Sequence, residues 1–452
     1  MPISPARAAA FDTLLRVERE SSYASELLHS ETYQRLTTAD HALTTELVMG
    51  VLRWRSRLDD EITSASSQPL SKLDLEILIS LRLAVYQFRW LDRIPAHAAI
   101  HESVELVKRA RKRSAAPFVN AVLRKLSNNP LCSSVPPVVS KQSPEVLAAT
   151  WSHPLWLVER WATNYGLAIA EGICKHDQSI PNTSIRLRMP EAEASLQSEK
   201  IALSSGTLLS TARTVQSGDI TKSRAYRTGA IVIQDEASQL VAALVGRTLP
   251  HGSRILDCCA APGGKTLAIT DHNPDAAITA AELHPHRARL LQKLLTAAKA
   301  QARIAVITAD ARYLPPADPF DRILADVPCS GTGTLARNPE IKWRLTSADL
   351  TELHDRQFSI LRAALAHVAP KGRLIYSTCS LEEEENENVV ELALAENDSF
   401  KLVDCNSELK NLRAAGQLTW PHPSSLTRGP YLRTIPGVHP CDGFFAAILE
   451  RF

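Results

Sequence analysis

From residue 253 onward the chain alternates short apolar runs with helical stretches, and each of the first four runs closes on an acid. The runs "SRILDCCA", "AAITAAEL", "ARIAVITADA" and "FDRILADV" carry Asp257, Glu282, Asp310 and Asp326 at spacings of 25, 28 and 16 residues, and "GRLIYSTCS" follows as a fifth. Stretches such as "HRARLLQKLLTAAKA" and "ADLTELHDRQFSILRAALAHV" lie between them. Such alternation implies parallel strands joined by right-handed crossovers, a doubly wound α/β sheet. The carboxyl ends of strands line the ligand crevice in an open parallel sheet, so four successive acids are expected to face one site.

Between the first two acids stands "DCCAAPGGKT". A strand, a glycine turn and a helix bring main-chain N–H groups against a ligand. Neither the P-loop spacing, which needs glycine where Cys259 stands, nor G-x-G-x-x-G is present. A glycine loop with an acid closing the second strand suits a nucleoside lacking a polyphosphate, with Glu282 accepting from ribose hydroxyls. That points to S-adenosyl-L-methionine, with Asp310 near the adenine amine. Lys265, at a helix start where a positive side chain is mildly unfavourable, favours a functional role.

Cys329 in "DVPCSG" follows the fourth run and Cys379 in "YSTCSLEEEEN" ends the fifth. If those strands are neighbours, both thiols face one crevice beside the cofactor. Carbon 5 of a pyrimidine is a poor nucleophile, but a thiolate adding to carbon 6 makes it able to take a methyl group. Asp326, held at ring nitrogen 3 of cytosine, would stabilise the adduct. The acids at 382–385 are read as the first turn of a helix. Cys132, Cys174, Cys405 and Cys441 read as buried small hydrophobes, and Cys258 and Cys259 as strand-to-loop packing.

The N-terminal part, 1–135, is helical throughout. Apolar residues recur every three or four positions in "PARAAAFDTLLRVER", "TTADHALTTELVMGVLRWRSRLDDEI", "LDLEILISLRLAVYQFRWL", "AHAAIHESVELVKRA" and "PFVNAVLRKL". "KRARKR", 108–113, puts five positive charges in six positions. The Pro- and Ser-rich 128–144 reads as a linker, 145–230 as a small mixed α/β domain, and 231–452 as the sheet domain. Net charge is only +2, so a nucleic-acid partner must be met by a local basic face. The eight cysteines include no C-x-x-C pair and no zinc spacing, which argues against a disulfide scaffold and a metal. No apolar stretch suits a signal sequence or a membrane span, so a reducing cytoplasm is expected.

The segments "DCCAAPGGKT", "AELHPHR", "TADAR", "LADVPCSGTGTL", "RNPEIKW", "YSTCSLEEEEN" and "DGFFAAILERF" resemble the catalytic domain of the RNA 5-methylcytosine methyltransferases of the NOL1/NOP2/Sun family. "GVLRWRSRLDD", "LRLAVYQ", "IPAHAAIHESVELVK" and "FVNAVLRKL" resemble the NusB-like domain joined to it in the RsmB (Sun/Fmu) branch. The resemblance implies an all-α NusB-like domain, a small α/β middle domain and a Rossmann-like class I methyltransferase domain. It also implies methylation of a cytosine, position 967, in 16S rRNA, free or in a partly assembled small subunit, by a monomer. By the same resemblance Cys259, Ala260, Ala261, Pro262, Gly263, Gly264, Lys265, Glu282, Asp310 and Asp326 hold S-adenosyl-L-methionine. Cys379 is then the nucleophile, and Cys329 helps release the product. One departure is Cys258, where an apolar residue is more usual. RNA contact is expected from "KRARKR" and from Arg337, Lys342 and Arg344, with Trp343 either stacking on a base or serving as a core residue. Two rivals are an RNA-binding antitermination factor with a vestigial sheet and a DNA cytosine methyltransferase attacking through its P-C thiol.

Overall fold

The computed structural model describes residues 3–20, 22–30, 33, 35–128, 143–300 and 303–452. By its internal contacts the chain divides into two units, Met1–Ile180 with Leu335–Arg344, and Pro181–Thr334 with Leu345–Phe452. The expected linker and Cys132 fall largely or wholly on 129–142, outside the described residues.

The first unit is helical. Its helices Pro5–Glu20, Thr38–Arg53, Arg55–Ala65, Leu75–Trp90, Ala96–Arg109 and Ala116–Ser127 follow the apolar periodicity closely, and a short helix, Ala24–Leu28, adds to them. Their apolar faces converge on a core including Leu14, Leu47, Leu58, Ile79, Leu81 and Val119, each fully buried aliphatic chain contributing roughly 1.5–3 kcal/mol. The continuous pattern from 37 to 62 is broken at Trp54, whose backbone leaves helical geometry (φ −100°, ψ 16°). Its indole is buried and sits 5.2 Å from that of Trp90. Packing of a large ring overrides propensity there. Thr37 caps the preceding helix by accepting from Asp40 N at 3.1 Å.

The stretch expected as one middle domain is divided. Its helices Pro144–Thr150, Leu155–Tyr165 and Leu167–Gln178 lie in the first unit. The second unit holds its four-stranded antiparallel sheet of β1 (Thr183–Leu187), β2 (Ala202–Ser205), β3 (Ala212–Ser217) and β4 (Ile231–Ile233), ordered β2-β3-β1-β4.

The large sheet contains β5 (Arg254–Asp257), β6 (Ala277–Glu282), β7 (Ile304–Thr308), β8 (Phe320–Asp326) and β9 (Val368–Thr378), parallel in the order β7-β6-β5-β8-β9. Alternation along the strands feeds both faces: Ile255, Leu324 and Ile375 pack on one side, Leu256, Ile323 and Leu374 on the other. Helices Gly264–His272, Pro285–Ala297 and Ser347–Leu365 make the crossovers, while the short link from β7 to β8 holds only a 3₁₀ turn, Ala311–Tyr313. Beyond β9 the sheet turns antiparallel, a continuation the sequence reading did not anticipate. It adds β10 (Phe400–Val403), β11 (Thr427–Arg428), β12 (Tyr431–Thr434) and β13 (Phe444–Arg451), with β13 paired to β9. Among the described residues no helix is long and apolar enough to cross a membrane.

Candidate active site

The strand order reverses direction at β5, where β6 lies to one side and β8 to the other, so a crevice opens at their carboxyl ends. Asp257, Glu282 and Asp326 are the last residues of β5, β6 and β8, and Asp310 lies two residues past β7. The four acids have different surroundings. Asp257 is buried and takes the hydroxyl of Thr266 on Oδ2 at 2.7 Å, and burial pushes its carboxyl up to about 7. Glu282, also buried, accepts from His284 N at 2.9 Å through Oε1. Asp310 accepts from the main chain and guanidinium of Arg312, and that bonding holds its carboxyl below the usual range.

Asp326 Oδ2 receives Lys265 Nζ at 2.7 Å and its Oδ1 the hydroxyl of Ser377 at 2.7 Å. Burial alone would lower Lys265, but Asp326, and after it Cys379 and Asp257, outweigh it and raise the ammonium above its ordinary value. Lys265 reaches there because Gly263, with φ +112°, turns the loop into the following helix. A Cβ at that position would come 2.5 Å from Leu291 Cδ1, the movable end of a side chain, so it is chiefly the left-handed conformation that calls for glycine.

β8 and β9 are parallel neighbours with Asp326 opposite Ser377, as the two-cysteine reading required. The loops that leave them stay together: Gly333 N donates to Cys379 O at 2.9 Å, and Val327 N to Ser377 O at 3.0 Å. Cys329 Sγ and Cys379 Sγ are 3.3 Å apart. The Cys329 thiol is pushed well above the usual range, first by its hydrogen bond to Cys379 and then by burial. Gly333 also meets Gly443 just before β13: a Cβ there would be 2.2 Å from Gly443 O. The antiparallel extension thus backs the cysteine loops. Cys174, Cys258, Cys405 and Cys441 are buried, Cys259 half-buried, and all are free thiols.

Two parts of the sequence reading need correction. Lys342, Trp343 and Arg344 are not free to meet phosphates or stack on a base. Lys342 is 1% exposed and its Nζ donates to Arg53 O at 3.1 Å. Trp343 Nε1 donates to Leu52 O at 2.6 Å, and Arg344 Nη2 to Val17 O at 3.0 Å and to Ser22 O. Ala24 N donates to Glu340 Oε1 at 2.8 Å. These side chains are anchors in the helical unit, because a buried carbonyl needs a donor and a buried ammonium an acceptor. The acids at 382–385 do not open a helix either. Glu383–Glu385 is a 3₁₀ turn, and Glu382 and Glu385, three apart, point inward. Glu385 was the residue missed, and the only signal was an acid run too long for one helix turn beside "TCS".

Residues 248–450 match the family described as "16S rRNA methyltransferase RsmB/F", and residues 4–128 the NusB family. A Bacillus subtilis relative, "Probable ribosomal RNA small subunit methyltransferase B", is 32% identical and covers 98% of both chains. The chain belongs to the RsmB/F family of rRNA small subunit methyltransferases. "Ribosomal RNA small subunit methyltransferase B" of Vibrio cholerae is 29% identical over 98% of this chain and 97% of its own. Among solved structures, the one titled "Crystal Structure of PH0851" superposes with a TM-score of 0.81, at 23% identity and full coverage of both chains. A methyltransferase homologue from Pyrococcus horikoshii superposes at 0.57, covering 69% of this chain and all of its own, at 23% identity. Both share the fold.

The cofactor of this RsmB/F methyltransferase is S-adenosyl-L-methionine, and the residues present fit it. Among the described residues Asp257 Oδ1, buried beside the glycine loop, has no hydrogen-bond partner, and it is an acceptor suited to an ammonium group such as that of the methionine part. Glu282, at the end of the second strand, has the chemistry for a ribose diol.

Proposed function

We propose that the chain methylates carbon 5 of a cytosine in 16S rRNA, position 967 by its family resemblance, through a transient bond from Cys379 Sγ to carbon 6. The observation carrying this reading is the 3.3 Å approach of two thiols at adjacent strand ends, beside the Lys265–Asp326 pair. Carbon 6 and carbon 5 are bonded neighbours, so two sulfurs this close can serve one ring. As the family resemblance implies, Cys379, beside which Lys265 holds positive charge, is the attacking member. Asp326, fixed by Ser377 and Lys265, shares a proton with ring nitrogen 3, which offsets the negative charge that thiolate addition puts into the ring. S-adenosyl-L-methionine supplies the methyl group as an electrophile. Cys329 then assists the loss of the carbon 5 proton and release of Cys379.

In the same reading the segment Cys259–Lys265 with Glu282, Asp310 and Asp326 holds the cofactor, Glu282 on the ribose and Asp310 near the adenine amine. The target base must leave any stack to reach the thiols, which favours a loop or single-stranded site. "KRARKR" offers the basic face, although Lys108, Arg109 and Lys112 pair with Glu105, Asp12 and Asp74.

The test is incubation with labelled methyl donor and 16S RNA, deproteinised or partly assembled, with 5-methylcytosine mapped by bisulfite sequencing. Label on another atom, or on duplex DNA alone, contradicts the reading. Cys379→Ala is expected to abolish turnover and adduct, and Cys329→Ala to accumulate a protein–RNA adduct that survives SDS. The opposite pattern exchanges the two roles.

A further inference from the structure

Glu385 lies six residues beyond Cys379 and is 0% exposed. Its carboxylate receives four donors. Oε1 accepts from Ser330 N at 2.7 Å and Gln357 Nε2 at 2.8 Å, and Oε2 accepts from the hydroxyls of Ser330 and Ser380. Each donor sits next to a reacting sulfur in the chain or touches its neighbour. Ser330 follows Cys329 and Ser380 follows Cys379, while Gln357 Nε2 also donates to Pro328 O at 2.9 Å, the carbonyl just before Cys329. The two serine hydroxyls are themselves 3.0 Å apart.

A buried carboxylate with four donors is a rigid clamp, since each bond to a charged acceptor is stronger than a neutral one and none can be exchanged for water. This clamp grips both cysteine loops at the residues flanking the thiols. We propose that Glu385 is the positioning residue that holds Cys329 and Cys379 in register for successive action on one pyrimidine ring. The inference rests on the two-thiol reading above. Glu385 does not touch the ring; it acts through Ser330 and Ser380.

Glu385→Gln and Glu385→Ala separate the possibilities. A glutamine oxygen can still accept from Ser330 N and Gln357, and its amide can donate to both serine hydroxyls, so spacing survives without the charge. Alanine removes the clamp. The first readout is bridging of Cys329 to Cys379 by dibromobimane, quantified as the cross-linked peptide by mass spectrometry; it reports thiol proximity whether or not any RNA is methylated. The second is kcat against KM for methyl transfer to 16S RNA.

Glu385→Ala is expected to lower kcat by about 100-fold, the penalty typical of misplacing a reacting group by about 1 Å, and to lower bridging several-fold, with KM for the cofactor within about twofold. Glu385→Gln is expected to retain kcat within about tenfold and to bridge close to the wild-type level. Wild-type bridging in Glu385→Ala overturns the proposal, as does glutamine failing as badly as alanine. If Glu385→Ala loses its thermal transition, Glu385→Gln and Ser380→Ala decide by the same bridging measurement, Ser380→Ala being expected to bridge less than glutamine. If the wild type and variants bridge as stated while no cytosine is methylated, the two-thiol reading fails and only the holding of the two thiols together stands.

Discussion

Lys265 Nζ lies 2.7 Å from Asp326 Oδ2, so a residue of the glycine loop and a residue of the fourth parallel strand share one charge pair. Burial would drive the ammonium towards neutrality, and the carboxylate opposes it. In the proposed mechanism Asp326→Asn removes the group that shares a proton with ring nitrogen 3, and it leaves the lysine without its counter-ion. The expected loss in kcat is about 10²–10⁴-fold, the range for a group acting on a proton of the reacting ring. Single-turnover methyl transfer at saturating RNA and cofactor measures it. A kcat within threefold of wild type would remove Asp326 from the chemistry.

Glu282 closes β6, is buried, accepts from its own loop's His284 N through Oε1 and has Arg287 Nη1 4.0 Å from Oε2. Glu282→Gln should weaken the bond to the ribose hydroxyls, which for a charged acceptor is worth about 1.5–3 kcal/mol. The dissociation constant of S-adenosylhomocysteine, measured by calorimetry, is expected to rise about 10–100-fold. Dibromobimane bridging of Cys329 to Cys379 should not change. Unaltered affinity would place the ribose elsewhere.

Much of this was legible in the sequence because local rules and the global fold agree there. The short apolar runs, the acids at their ends and the parallel arrangement follow from patterning and crossover rules, whereas the β8–β9 adjacency entered the sequence reading only as a condition. Trp343, Lys342 and Arg344 misled because a basic, aromatic segment reads the same whether it meets a phosphate or a buried carbonyl. Long-range partners such as Arg53 and Leu52, separated by almost 300 positions, carry no local signal. Glu385 was lost for a similar reason: its donors Ser330 and Gln357 come from other elements, and the neighbouring Glu383 and Glu384 are ordinary half-exposed acids.

The basic run 108–113 makes a different prediction. Lys108, Arg109 and Lys112 already face carboxylates, in exposed pairs that contribute little to stability. Arg111 and Arg113 are both exposed. Reversing both, with Arg111→Glu and Arg113→Glu, should weaken RNA binding for all sequences alike. The slope of log affinity against log salt should become shallower by about 1.4, at about 0.7 per contact for single strands. Filter binding across a salt series measures both, and an unchanged slope would place the RNA on another face.

Lys342 gives a pH test of the anchor reading. Burial pushes its pKa down to about 7, with Arg53 adding to the fall and Asp177 and Cys174 opposing it. In the unfolded chain a lysine titrates near 10.4. Between these two values the unfolded chain holds the proton and the folded one does not, so stability rises with pH across that window. Below about 7 both states are protonated and the full cost of the buried charge is present. Lys342→Met carries no such cost. The difference in unfolding free energy between wild type and Lys342→Met, from urea titrations followed by tryptophan fluorescence, should therefore shift in favour of wild type from pH 7.5 to 9.5. The expected shift is on the order of 2 kcal/mol. RNA affinity of Lys342→Met at pH 7.5 should match wild type. A flat difference with pH together with weakened RNA binding would return Lys342 to the phosphate-contact role that its burial against Arg53 argues against.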